Sequence, residues 1–164
     1  MSTSDLKRLI SELNNLCDRL DEDYNINYGG CCFVAYLMMK NFEAIGIHPV
    51  LVIESDCDEI DGGEFLDCVR DRDNNCNGLG YNTCCHYFVS IPKIGYVNAG
   101  DFDRESLNKF RGLSAKDVQW IYKTGDWNNE YETRNNPMVG RRIRQVFRKY
   151  EDLYKEWWNS RSRW

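Results

Sequence analysis

A cysteine stands at the head of an apolar segment, directly after two glycines. Cys31 follows Gly29 and Gly30 and begins the run CCFVAYLMMKNFEAI, which is apolar on nearly all sides. This pattern predicts a buried helix that begins at Cys31 and is terminated by Gly46. A helix N-terminus presents backbone N–H groups and the positive end of the helix dipole, and both favour a reactive thiolate. The same N–H groups can hold an oxyanion on an attacked carbonyl, so Cys31 is a candidate nucleophile.

A thiol nucleophile needs a base, and the chain has two histidines. His48 follows the C-terminal end of the predicted helix, about 20 Å from Cys31 at ~1.5 Å per residue, and cannot reach that thiol. His86, at the head of the strand HYFVSI, is therefore the candidate imidazole base. Asn98 on the next predicted strand can orient the imidazole in a Cys-His-Asn arrangement, and Asp101 is the competing third member.

The elements around these residues follow from hydrophobic periodicity. An amphipathic helix is predicted over residues 4–22, capped by Ser2, Thr3 or Ser4. The apolar run HPVLVIES predicts a strand, and CCHYFVSI and GYVNAG, joined by the turn PKIG, predict a hairpin. Residues 55–83 lack a clean period and are predicted to be a loop excursion.

Helices dominate the predicted C-terminal part. Residues 106–113 are predicted to form a short helix, and Ser114 with Asp117 predicts a capped helix that runs to about Lys123. Pro137 begins a final amphipathic helix over residues 137–160. That helix is rich in arginine and tryptophan, which allows nucleic-acid or membrane binding, but a helix docked on the core with solvated arginines is the favoured interpretation.

Two stretches together resemble a known family. The segment GGCCFVAYLMMKNFEAIGI is similar to the nucleophile helix of papain-like cysteine hydrolases in the broad sense, especially the NlpC/P60 and transglutaminase-like groups. HYFVSIPKIGYVNAGDF resembles their histidine hairpin, with the third polar residue at Asn98 in the NlpC/P60 pattern or nearer Asp101 in the transglutaminase pattern. The resemblance covers residues 28–103, interrupted by the 55–83 excursion.

The chain also departs from this family's pattern. The usual Asp-Cys or Trp beside the nucleophile and a clear upstream Gln are absent, so Asn25, Asn27 or Tyr28 would have to supply an oxyanion donor. Cys32 is an alternative nucleophile that lies about 100° further round the helix. Cys31 is favoured because its spacing to Gly46 matches the family.

The resemblance implies an α+β fold. It would have a papain-like core, with the nucleophile helix packed on a small antiparallel sheet and extra terminal helices. The length of 164 residues fits one domain over residues 1–164. The resemblance also implies a thiol hydrolase, a cysteine peptidase or amidase, that acts on an amide or isopeptide bond in a peptide, protein or small-amide substrate. Acyl transfer or deamidation on the same fold is one alternative, and a non-catalytic interaction protein with a degenerate papain-like fold is another.

The composition of the chain limits the binding partners and the cellular location that we expect. The formal charge of −5 gives no strong nucleic-acid signal, and no apolar window is long enough for a membrane span. The N-terminus lacks an apolar leader, which predicts a cytoplasmic, reducing location. No cofactor is expected.

The sequence leaves open whether the remaining cysteines bind zinc or form disulfides. They lack the close Cys-x2-4-Cys pairs of structural zinc sites, and no metal site is predicted. A calcium loop that begins at Asp73 would place Cys84 where glutamate is required. The cysteines in question are Cys57, Cys68, Cys76, Cys84 and Cys85.

Overall fold

The computed structural model describes residues 1–55, 62–72, 85–100, 107–124 and 136–161. Five helices and one sheet of four antiparallel strands are found in these ranges, which confirms the α+β class. The helices are α1 (Thr3–Tyr24), α2 (Cys31–Ala44), α3 (Gly62–Asp71), α4 (Ala115–Thr124) and α5 (Pro137–Arg161). The strands are β1 (Val50–Ser55), β2 (Cys85–Ile91), β3 (Gly95–Val97) and β4 (Leu107–Phe110).

Both ends of α1 are held by residues suited to helix termini. The Ser2 hydroxyl accepts a hydrogen bond from the Asp5 N–H at 3.1 Å, and the Asp5 carboxylate accepts one from the Ser2 N–H at 3.1 Å. This reciprocal pair satisfies N–H groups that the first helical turn leaves without internal acceptors. Asn25 ends the helix in the left-handed conformation, with φ of 51°. A short polar side chain tolerates that conformation well.

The sheet has the strand order β3-β2-β1-β4. The predicted hairpin is confirmed, because β2 and β3 pair antiparallel with Val89 opposite Val97. β1 pairs with β2 in the register Ile53 to Tyr87 and Glu54 to His86. β1 therefore has β2 on one side and β4 on the other, and β3 and β4 form the two edges.

Helices α1, α2 and α3 contact this sheet. Alternate residues of a strand point to opposite faces. Tyr87, Val89 and Ile91 of β2 belong to the hydrophobic core that also contains the buried residues of α1 and α2. His86 and Phe88 have the opposite orientation, and their rings stack on each other with centroids 5.6 Å apart. The helix-bearing face is thus the Tyr87 face, and His86 projects from the other.

α2 is the central helix of the core. It contacts β2 as well as α4 and α5, and its position explains why its sequence is apolar on nearly every side. Phe42 of α2 is fully buried and meets Phe147 of α5 edge-on, with ring centroids 4.9 Å apart. Aromatic pairs in this geometry contribute ~0.5–1.5 kcal/mol beyond the area that they bury.

Two sequence predictions about local structure are wrong. Residues 62–71 of the predicted loop excursion form α3, because Phe65 and Val69, four residues apart, give it a buried face. Residues 107–110 form β4 rather than a helix, because they pair with the edge of β1 that β2 leaves open. Phe110 of β4 then packs against Phe65, with ring centroids 4.6 Å apart. Tertiary pairing here outweighs local propensity.

No helix in the described ranges combines the length and the apolar character that a membrane crossing requires.

Candidate functional site

Cys31 is the first residue of α2, as the sequence predicts. Gly30 is the N-cap and supplies no side chain, so the cap forms no side-chain hydrogen bond. Gly29 adopts φ of 87°, a conformation that glycine takes without steric cost. The Cys31 and Cys32 side chains are both thiols outside any disulfide, and their residues are 3% and 1% exposed. Either thiolate would lie at the positive end of the α2 dipole.

The imidazole of His86 is held by a backbone carbonyl. Its Nε2 atom lies 2.5 Å from the carbonyl oxygen of Asn98. Since a carbonyl only accepts hydrogen bonds, Nε2 must carry the proton in this contact. The lone pair of the neutral ring is then on Nδ1, which is the arrangement that a general base needs.

Asn98 meets His86 through its main chain rather than its side chain. It follows directly on β3, is buried, and has φ of 62°, in the left-handed region. Its side-chain Nδ2 donates to Asn27 Oδ1 at 3.0 Å, and its backbone N–H donates to Asn14 Oδ1 at 2.8 Å. The amide that was expected to orient the imidazole is thus turned toward the loop before α2.

Asn14 completes this polar cluster and was not identified from the sequence. Besides accepting from Asn98, it donates from Nδ2 to the carbonyl oxygen of Tyr96 at 2.9 Å. Asn14 therefore fixes α1 to the end of β3. One signal was present in the sequence: Asn14 interrupts the apolar stripe of α1, beside Leu13 and four residues after Ile10.

These contacts link His86, through Asn98, to the turn that precedes α2. Asn27, four residues before Cys31, bonds the same Asn98 whose carbonyl holds His86. The Cys31 and His86 side chains lie on different sides of the sheet, however. Cys31 packs in the core on the Tyr87 side, whereas His86 starts from the opposite face.

Other candidate residues have different surroundings. The Asn27 N–H donates to the Asp21 carboxylate at 2.9 Å, Asn25 serves as the C-cap of α1, and Tyr28 is 61% exposed. The backbone N–H of Asn27 is thus already committed and is a poor oxyanion donor. Asp101 lies outside the described residues.

The choice between zinc binding and a disulfide is resolved for one of the remaining cysteines. Cys68 of α3 is disulfide-bonded. It is therefore not a thiol ligand for zinc. Within the described ranges, no cluster of three or more His, Cys, Asp or Glu side chains could hold a metal. The predictions concerning Cys57, Cys76, Cys84, the Cys85 side chain and the calcium-like segment that begins at Asp73 fall outside the described part of the chain.

Comparison with protein-family models, with curated proteins and with solved structures finds no match to this chain. The papain-like assignment therefore stays a prediction from the sequence resemblance.

Proposed function

We propose that the protein is a thiol-dependent hydrolase in which Cys31 is the nucleophile and His86 the base. The observation that carries the proposal is the contact between His86 Nε2 and the Asn98 carbonyl, because it leaves Nδ1 as the basic nitrogen. The link from Asn98 to Asn27 supports it, since this link ties the base to the loop that leads into Cys31.

The chemistry would proceed through an acyl-enzyme. His86 Nδ1 takes the proton of the Cys31 thiol, and the thiolate sulfur bonds to the carbonyl carbon of an amide. Backbone N–H groups of the first turn of α2 hold the oxyanion. The C–N bond then breaks as His86 returns the proton to the leaving amine. Water, deprotonated by His86, attacks the thioester and releases the acid and the thiol.

The substrate class is a peptide, a protein or a small amide, and peptide or isopeptide hydrolysis is the leading reaction. Acyl transfer uses the same thioester with an amine as acceptor, and deamidation uses a side-chain amide as donor. These reactions share every step up to the acyl-enzyme, so the first experiment should detect that species.

Acyl-enzyme trapping with p-nitrophenyl acetate tests the proposal. The ester supplies a generic activated acyl group, and peptide mapping by mass spectrometry locates the acetyl thioester. We expect acetylation at Cys31 that persists in Cys32→Ser and is at least tenfold slower in His86→Ala, since a positioned base contributes ~10²–10⁴-fold. Acetylation that is spread over Cys31, Cys32 and Cys17, or that is unchanged in His86→Ala, would refute a dedicated nucleophile.

A non-catalytic interaction protein is the second candidate function. Two observations favour it: Cys31 is 3% exposed, and His86 starts from the sheet face opposite to the one that α2 covers. A buried cysteine with no base behaves as a small hydrophobic residue. In that case Cys31→Ala would leave the fold intact, and the trapping experiment would give no acetylated Cys31.

A cytoplasmic location remains part of the proposal. The Cys68 disulfide opposes it, because disulfides are rare in reducing compartments. Quenching freshly lysed cells with N-ethylmaleimide and mapping the modified cysteines decides the matter. Alkylated Cys68 would support the cytoplasmic location, and Cys68 that is protected until reduction would contradict it.

A further inference from the structure

A cavity of about 560 Å³ lies where α5 passes over α2 and α4. Phe33 and Leu37 of α2 and Tyr122 of α4 give it an apolar, largely aromatic side. The Phe33 and Tyr122 rings meet edge-on with centroids 5.4 Å apart. Small-molecule sites in proteins usually have volumes of roughly 300–1,000 Å³, so the cavity is of the right size for a ligand.

The opposite side of the cavity is strongly cationic. Arg141, Arg144 and Arg148 of α5 line it. They are spaced by three and four residues, which places them in one row that spans about 10 Å along the helix. Asn136 and Pro137, at the N-terminus of α5, line the same cavity, so the positive end of this helix also faces it.

This arginine row is distinct from the cations that hold α5 to α1. On that other flank, Arg142 pairs with Asp23 at 2.7 Å and Lys149 pairs with Glu12 at 3.2 Å. In the described ranges, by contrast, the three cavity arginines form no ion pair with a carboxylate. The described part of the chain therefore leaves these three positive charges without a carboxylate partner.

We propose that this cavity binds a nucleoside diphosphate. Guanidinium groups match phosphate oxygens in a planar, bidentate geometry, and the arginine row offers several such groups to a diphosphate. The Phe33 and Tyr122 side offers a surface for a heteroaromatic base. The limited volume of the cavity and the chain's formal charge of −5 favour this compact anion over a nucleic-acid polymer. Neither Cys31 nor His86 lines this cavity.

Isothermal titration calorimetry with ADP tests the proposal on the full chain. Adenosine and inorganic pyrophosphate, titrated separately, report the base and the phosphates alone. Arg144→Gln removes a cavity cation, and Arg142→Gln is the matched control because Arg142 sits two residues away but points to Asp23. Circular dichroism melting of both variants verifies that each is folded.

We expect saturable ADP binding that is weaker for both fragments than for ADP. Arg144→Gln should weaken it roughly tenfold, as loss of one charge-assisted hydrogen bond implies, and Arg142→Gln should change it less than twofold. Pyrophosphate that binds as tightly as ADP would overturn the role of the aromatic side. No saturable heat with ADP, or equal weakening in the two variants, would overturn the site itself.

Discussion

Asn14→Ala is the substitution that best probes how α1 and the sheet are joined. Asn14 makes two hydrogen bonds to the chain around β3: it donates to the Tyr96 carbonyl oxygen and accepts from the Asn98 N–H. Since the Asn98 carbonyl holds His86, the same side chain indirectly positions the candidate base. Removing it should therefore affect both the stability of the fold and the geometry of the site.

The expected loss of stability in Asn14→Ala follows from these two hydrogen bonds. Asn98 is only 7% exposed, so its N–H loses its partner without gaining full access to water. An orphaned buried donor costs about 1–3 kcal/mol, and the second bond contributes about 1 kcal/mol. We expect Asn14→Ala to reduce the free energy of unfolding by about 2–4 kcal/mol relative to the control.

Asn15→Ala is the control because Asn15 is the next residue of α1 and is exposed. Both substitutions gain the same helix propensity, ~0.6 kcal/mol, which cancels in the comparison. Urea denaturation followed by circular dichroism measures the two free energies of unfolding. If the two variants agree within about 0.5 kcal/mol, Asn14 does not anchor the sheet and the reasoning fails.

Three further predictions concern other parts of the core. Burial and a hydrogen bond to Glu12 raise the pKa of Tyr150 to about 12, above the 10.0 of a free tyrosine. The stabilisation that the protonated Tyr150 gives to the fold is therefore complete below pH 10 and is lost as the pH rises toward 12. Tyr150→Phe should flatten this alkaline loss in denaturation curves measured between pH 9 and 12, and an unchanged slope would contradict it. Burial, with help from nearby acids, raises the pKa of the Cys17 thiol to about 12, so iodoacetamide at pH 8 should label it only after unfolding, as peptide mapping would show. Phe42→Ala should reduce the free energy of unfolding in urea by about 3–5 kcal/mol, because it removes the ring that packs against Phe147. A reduction below about 1 kcal/mol would mean that the core collapses around the gap.

Periodic segments of the sequence predicted their structures well. The stripe of α1, the apolar α2 and the β2–β3 hairpin were all foreseeable because each depends on residues close together in the chain. The Gly29-Gly30 pair likewise placed Cys31 at the first turn of α2. Local patterning therefore sufficed for these elements and for the position of the candidate nucleophile.

Contacts between distant segments could not be read from the sequence. β4 is a strand because β1 offers it an unpaired edge, and no property of residues 107–110 announces this. The role of Asn98 was similarly hidden. Its left-handed backbone turns the carbonyl to His86 and the amide to Asn27, whereas sequence reasoning assumed that the side chain would reach the imidazole.

The pH dependence of alkylation at Cys31 measures the coupling of this thiol to His86. Iodoacetamide labelling of Cys31 is measured from pH 5 to 9 in the wild-type protein and in His86→Ala, with Cys32 and Cys17 followed in the same digests. We expect the wild-type protein to be labelled selectively at Cys31 at pH 6–7, and His86→Ala to shift this labelling to higher pH. Identical profiles in the two proteins, or a Cys31 that stays as unreactive as Cys17, would contradict that coupling.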